Sequence, residues 1–332
     1  AICAIRNSLE KGETVLVLVP SIALLVQWKN EIEANMYGIT VDFLLCGDVY
    51  TEWKRDGVLA AWTAPSHKHR IILASMDTAS NFEFIKRIVQ GDHLFLVADE
   101  MHRLGSPKRR NILSIVSGPR LGLSASPRRY GDPEGTKVLL DYFGGIIEPP
   151  YTLMDAINSD VLTRYFYYPQ KIRLSMNEQE EWNEITNRIR LMIARSAGDD
   201  TTRNAIFQSP AIKKLLIKRA RIVKNATEKV ALALKVIRDN YQDWQKWIIY
   251  CDNILQLRQV LDILTQNGFN AYEYYAEMEG DRQETLSYFS LNGGILVSIK
   301  CLDEGVDIPS ATHALVLASS QNPREFIQRR GR

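Results

Sequence analysis

No run in this sequence is apolar for long enough to cross a membrane as a helix, and the N-terminal residues lack the basic, apolar, small-residue order of a secretory signal. Both absences read as a soluble, cytoplasmic protein. Cysteine is sparse: Cys3, Cys46, Cys251 and Cys301 are widely scattered, with no CxxC spacing and no neighbouring histidines. That pattern argues against a zinc site or a disulfide framework and reads as reduced, packed thiols. An excess of one charge is missing too. A formal net charge of +2 does not by itself point to nucleic acid, because that inference needs basic residues gathered on one face. Local basic clusters do occur, "PKRR" at 107–110, "PRR" at 127–129, "KKLLIKRAR" at 213–221 and "QRRGR" at 328–332. Taken singly, each is more often a solvated face than a binding site. There is no internal repeat and no low-complexity tract, and "NAT" at 225–227 lies in a helical stretch that makes a poor glycosylation acceptor.

What is present is enough apolar residue for a large core, 45% of a 332-residue chain, a length that favours at least two domains. Short apolar runs alternate with amphipathic stretches: "TVLVLVP" (14–20), "VDFLLC" (41–46), "RIILAS" (70–75), "HLFLVADE" (93–100) and "RLGLSAS" (120–126). This alternation predicts βαβ units and a parallel sheet. A second set follows, "KWIIYCD" (246–252), "FNAYEYYA" (269–276), "GGILVSIK" (293–300) and "HALVLAS" (313–319). Between the two sets, residues 175–225 carry helical periodicity and no strand-like run, and "RRYGDPEGT" (128–136) reads as a loop. The expected fold class is α/β, with two parallel-sheet domains in tandem and a helical connector. Their bounds are expected at 1–165, 166–225 and 226–332.

The segment "HLFLVADEMHRLG" places Asp99, Glu100 and His102 just past a run that reads as a strand buried on both faces. Ligands of open parallel sheets bind beyond the carboxyl ends of the strands, so reactive groups belong there. Acids at that point also cap helices, and a lone histidine is more often a structural hydrogen-bonder. The other motifs have to decide between these readings.

Taken in order, "VADEMH", "LGLSASP", "VSIKCLDEGVDIP" and "FIQRRGR" resemble motifs II, III, V and VI of the superfamily 2 helicases and translocases of the DExH type. "VLVPSIALLVQW" is similar to motif Ia, "ILASMDTAS" to the DNA-contact motif after it and "WIIYCDN" to motif IV, so the resemblance covers nearly the whole chain. The "LDEGVDIP" and "QRRGR" wording is closest to motors of restriction and phage-defence systems and to transcription-repair translocases. The resemblance implies two RecA-like domains and a DNA-processing ATPase using ATP and Mg²⁺.

It also implies roles. Asp99 would hold Mg²⁺ through water, Glu100 would orient or deprotonate the attacking water, and His102 would link motif II to the partner domain. Those residue types suit phosphoryl transfer, which needs charge neutralisation on the phosphates and an oriented nucleophile. Arg332 is implied as the arginine finger with Arg329 beside it, and Gln328 as the residue sensing the nucleotide. Gly305 and Asp307 would approach the nucleotide, although a simple turn suits them as well. Ser124, Ala125 and Ser126 match the motif that couples hydrolysis to strand movement. Ser21, Gln27, Ser75 and Ser298 would contact nucleic-acid phosphates, which gives grip without sequence reading. Trp28 fits core packing better than base stacking, and alternating Tyr272, Tyr274 and Tyr275 fit packing as well as stacking.

Motors of this kind need a glycine-rich loop ending in Lys-Ser/Thr to cradle the phosphates, and no GxxxxGK[ST] occurs here. Residues 1–20 read instead as the helix and strand that follow such a loop, and the sequence stops within motif VI. The expectation is an internal piece of a longer protein, unable to hydrolyse ATP efficiently alone, whose partner is duplex DNA and which flanking nuclease or other effector domains accompany. Two alternatives stay open: an RNA helicase of DExH type, and a non-hydrolysing nucleic-acid-binding scaffold.

Overall fold

A computed structural model describes residues 1–129, 132–195, 209–275, 277–299 and 311–318. The chain divides into two compact units, Ala1–Asp155 and Ala156–Arg332.

The first unit runs α1 (Ile2–Glu10), β1 (Thr14–Val19), α2 (Ile22–Asn35), β2 (Asp42–Cys46), α3 (Val58–Thr63), β3 (Arg70–Ser75), α4 (Met76–Ala79), α5 (Phe82–Arg87), β4 (Leu94–Ala98), β5 (Arg120–Gly122) and α6 (Pro133–Phe143). Its five strands are all parallel, in the order β2-β3-β1-β4-β5. Every residue of β1 and of β4 is buried, because helices cover both faces of the sheet. Alternate side chains go to opposite faces. Leu16, Leu18, Leu94, Leu96 and Ala98 pack with Leu59, Phe84 and Leu139 on one side. Val15, Val17, Val19, Phe95 and Val97 pack with Ile5, Leu9, Leu25 and Ile32 on the other. Each fully buried Leu or Val contributes about 1.5–3 kcal/mol relative to exposure, so these two layers supply most of the unit's driving force.

The helix α7 (Leu153–Asn158) spans the division between the units. Then come α8 (Met176–Arg195), α9 (Pro210–Lys224), α10 (Glu228–Asn240), β6 (Lys246–Cys251), α11 (Ile254–Gln266), β7 (Ala271–Tyr274), α12 (Arg282–Asn292), β8 (Gly294–Ile299) and β9 (His313–Val316). The second sheet is also wholly parallel, in the order β7-β8-β6-β9. Trp247, Ile249, Ile295 and Val297 pack under α10 and α11 through Ile237, Leu257 and Leu264, while Ile248, Tyr250, Tyr274 and Leu296 face Phe289 of α12. The helices α8 and α9 pack on each other, with Arg219 lying over the Trp182 ring at 5.4 Å.

All nine strand-like runs of the sequence are strands. One expectation needs correction: the stretch 128–136 is not all loop. Asp132 accepts the Gly135 amide at 2.8 Å and Pro133 occupies the first turn of α6, the residue types that start a helix. No helix among the described residues is long and apolar enough to cross a membrane.

The approach to β5 depends on a glycine. A Cβ on Gly118 would lie 2.2 Å from the backbone oxygen of Asp92, and the Gly118 amide is held on the Leu94 carbonyl at 3.1 Å. Gly118→Ala is expected to destabilise the protein by about 1–3 kcal/mol, the scale of forced overpacking. A thermal or urea unfolding midpoint equal to that of the unsubstituted protein would refute this.

Candidate active site at the carboxyl end of β4

Where β4 ends, Asp99 still belongs to the sheet: its amide donates to the carbonyl of Leu18 at 2.9 Å. Its carboxylate is held from two sides. Oδ2 accepts the indole N–H of Trp28 at 2.9 Å, and Oδ1 accepts the amide of Glu100 at 2.8 Å. Burial pushes the Asp99 carboxyl above its ordinary range, the Trp28 hydrogen bond opposes that shift and the adjacent Glu100 charge reinforces it.

Glu100 sits in the left-handed region, φ 48° and ψ 45°, a conformation costing a non-glycine residue about 1–3 kcal/mol. The surroundings impose it. The amide of Leu123 donates to Ala98 at 2.8 Å and the amide of Met101 donates to Leu123 at 2.9 Å, so the chain must turn sharply between two fixed points. The following 3-10 helix, Met101–Gly105, buries Met101, His102, Leu104 and Gly105.

His102 is the junction of the site. Its Nδ1 lies 3.1 Å from Glu100 Oε2 and 3.1 Å from Ser124 Oγ. Nδ1 hydrogen-bonds Ser124 Oγ and lies within ion-pair distance of the Glu100 carboxylate, so the ring faces both groups at once. Ser124 Oγ also accepts the amide of Ser126 at 3.3 Å, so the loop after β5 is tied to the same histidine. Within that loop Ala125 is exposed and Ser126 half-buried.

The structure therefore brings together Asp99, Glu100, His102 and Ser124 of the residues singled out in the sequence. Of the implied phosphate contacts, Gln27 is exposed on α2, and Ser21 caps that helix by accepting from Leu24 at 3.4 Å. Ser75 is buried, caps α4 through the Thr78 amide at 3.2 Å and donates to Thr78 Oγ1 at 2.9 Å. Ser298 is fully buried in the second sheet, between Tyr250 and Tyr274, which leaves its hydroxyl inside the protein in this conformation. Tyr274 and Tyr275 are buried, and Tyr272 packs edge-on to Tyr288 at 5.5 Å; they are packing residues. Gly305, Asp307, Gln328, Arg329 and Arg332 lie outside the described residues.

Reading the sequence missed the function of Trp28. It packs partly in the core, as its type suggested, but its indole nitrogen also positions Asp99. The only available signal was its place nearly two turns into α2, on the face directed at the end of β4.

Asp99 and Glu100 offer hard oxygen donors that suit Mg²⁺, which binds through one or two carboxylates and keeps waters and phosphate oxygens as its other ligands. The phosphates themselves need a glycine-rich loop of a kind that this sequence does not contain.

Two parallel-sheet units with flanking helices, the first carrying an acidic pair past a buried strand, match tandem RecA-like domains. The comparisons agree. Residues 1–129 match the family described as type III restriction enzyme, res subunit, and residues 228–332 match the helicase conserved C-terminal domain. The chain belongs to the superfamily 2 helicases and translocases, a family of nucleic-acid-dependent ATPases. It is 29% identical over 137 residues to the putative ATP-dependent RNA helicase MJ1505 of Methanocaldococcus jannaschii, covering 39% of this chain and 16% of that protein. It is 24% identical to the DNA 3'-5' translocase XPB2 of Sulfurisphaera tokodaii, covering 96% of this chain and 68% of that protein. The helicase domain of Pyrococcus furiosus Hef has the same fold, with a TM-score of 0.57 at 16% identity over 100% of this chain and 86% of that one. The chain thus spans less than a fifth of the first of these relatives and about two thirds of the second.

The site predicts a metal-dependent titration. A carboxyl raised in the folded state favours folding at low pH, and that contribution is lost as pH rises through the folded value. Mg²⁺ opposes this by favouring the carboxylate. The Asp99 carboxyl, followed by carbon-detected NMR, is expected to titrate above the ordinary Asp range without Mg²⁺ and to fall when Mg²⁺ is added. Trp28→Phe should raise it further and weaken Mg²⁺ binding about tenfold, the scale for lost outer-shell partners. An Asp99 titration indifferent to Mg²⁺ would remove it from the metal site.

Proposed function

We propose that this chain is the motor of an ATP-dependent DNA helicase or double-stranded DNA translocase within a larger DNA-processing or phage-defence protein. The observation that carries this is the chain of contacts Trp28–Asp99–Glu100–His102–Ser124. Its two carboxylates have distinct partners, and one of them is tied through a histidine to the loop after β5. Such separation gives two adjacent acids different tasks. Bound ATP and Mg²⁺ would supply the phosphoryl group and the charge that neutralises it. Asp99, held by the Trp28 indole, would carry the metal's waters. Glu100, whose carboxylate lies 3.1 Å from the His102 ring, would orient a water and take its proton. Movement of Ser124 would reach Glu100 through His102, which is how nucleotide state and strand grip become linked.

By the same reading Arg332 is the arginine finger, with Arg329 and Gln328 beside it, and Gly305 and Asp307 approach the nucleotide. Ser21, Gln27, Ser75 and Ser298 remain candidates for phosphate contact, the last two only after rearrangement. The division into a first motor domain (1–165), a connector (166–225) and a second motor domain (226–332) belongs to this reading, as does a cytoplasmic location. Duplex DNA is preferred as partner because of the likeness to the restriction res subunit and to a DNA 3'-5' translocase. A second reading, an RNA-directed motor, is favoured by the likeness to a putative RNA helicase.

The test is the ATPase rate of the full-length gene product with no nucleic acid, with duplex DNA and with duplex RNA. Stimulation by DNA is expected. Glu100→Gln should abolish turnover while leaving ATP and DNA binding in place, and loss of ATP binding instead would show that Glu100 has another role. Greater stimulation by RNA would replace the first reading with the second. No turnover with either would leave a passive binding scaffold.

A further inference from the structure

Two of the basic clusters in the sequence, "PKRR" and "PRR", send one arginine each to the acidic turn. The guanidinium of Arg129 donates from Nη1 to the carbonyl of His102 and from Nε to Asp132 Oδ2 at 2.7 Å. Its backbone amide donates to Thr136 Oγ1 at 2.8 Å. The guanidinium of Arg110 donates from Nη2 to the carbonyl of Gly105 at 3.1 Å, and its Nη1 faces Glu134 at 3.8 Å. Both arginines thus bind a carbonyl of the 3-10 helix Met101–Gly105 and an acid in or just before the first turn of α6. The side chain of Arg129 is only 20% exposed, and it crosses directly over Gly105, where a Cβ would lie 2.5 Å from its Cδ and 2.8 Å from its Nε.

The turn so gripped begins with Glu100 in the left-handed region, and residues in that region persist only where the surroundings over-determine them. Backbone bonds to Leu123 fix the amide of Met101, the start of the turn. Arg129 fixes its middle, at the carbonyl of the same residue whose ring holds the Glu100 carboxylate. A guanidinium carries five donors in a rigid fork, which suits it to hold a carbonyl and a carboxylate at once. Arg129 follows Ser124, Ala125 and Ser126 by a few residues, so that loop is joined to His102 twice: through Ser124 on its ring and through Arg129 on its carbonyl.

We propose that Arg129 is a positioning residue for ATP hydrolysis, clamping the His102 carbonyl so that the Glu100 carboxylate is held in its working orientation. This rests on the proposed ATPase function. The clamp acts on the geometry of the general base and leaves nucleotide and DNA affinity alone. It therefore acts on kcat and not on KM.

The test uses the full-length gene product and three variants, Arg129→Ala, Gly105→Ala and Glu100→Gln. For Arg129→Ala, kcat of DNA-stimulated hydrolysis is expected to fall roughly ten- to hundredfold, the scale for small misplacements of a reacting group, with KM for ATP nearly unchanged. Added guanidinium ion should restore part of that rate in Arg129→Ala. Gly105→Ala should lower kcat in the same direction by pushing the guanidinium off His102, and added guanidinium should not rescue it, because the arginine is still present. Amides of residues 101–105 should exchange with solvent faster in both variants. An unchanged kcat in Arg129→Ala, while Glu100→Gln is inactive, overturns the clamp and spares the function. A fall in kcat accompanied by a lowered unfolding midpoint and no guanidinium rescue also overturns it, since that is a structural role. If the unsubstituted protein shows no turnover, the functional reading fails, and unchanged amide exchange in Arg129→Ala then removes the clamp as well.

Discussion

A single residue in an unfavourable backbone conformation organises the first unit. Glu100 must turn left-handed because β4 and the strand-like extension of β5 grip the chain on either side of it, through Leu123 and Ala98 on one side and Met101 and Leu123 on the other. Relaxing it would move Met101 out of its contact with Gly122, where a Cβ would lie 2.7 Å from the Met101 sulfur. Packing, pairing and chemistry therefore share one constraint. The buried apolar strand holds the turn, the turn separates the environments of two neighbouring acids, and under the proposed function that separation would let them do different work.

Charge in this unit is spent locally. Of the basic residues near the site, Arg109 binds Asp77 through both Nε and Nη2, Lys108 lies 3.2 Å from the same carboxylate, and Arg129 and Arg110 hold carbonyls of the acidic turn. Arg109 draws the Asp77 carboxyl below its ordinary range. A cluster that in one dimension resembles a landing strip for phosphates is, once folded, a set of internal ties. Each such tie replaces a solvated charge by a directed one, which is worth more where the guanidinium is mostly shielded, as at Arg129, than at the exposed Lys108.

The strands were legible because parallel sheets covered on both faces need unbroken apolar runs, and "TVLVLV" or "RIILAS" admit few other uses. The acidic pair was legible for the same reason, since polar residues that interrupt such a run mark the strand's end. Contacts between side chains and distant backbone left no such mark. Nothing in "PRR" distinguishes the arginine that reaches the His102 carbonyl from its neighbour, and nothing in "QW" shows an indole nitrogen aimed at residue 99. The start of α6 was missed because Asp-Pro-Glu-Gly reads equally well as a turn, and only the Asp132 cap makes it a helix. Ser75 and Ser298 were implied as phosphate contacts by the motifs that contain them, and a motif fixes position along the chain but not depth of burial.

Parallel pairing also has a consequence for synthesis. β1 is made before the strands that flank it, β3 and β4: Val15 has its partners at Ile71 and Phe95. No strand of either sheet can pair with its neighbour through a tight hairpin, because parallel strands require a crossover between them. During translation the segment TVLVLV must wait without its ladder partners while the crossovers that lead to them are still being made. It is a short, uncharged, β-branched segment, the kind that self-associates when left unpaired. The ordering that buries β1 so completely in the folded unit thus leaves the same segment unpaired while the nascent chain is incomplete.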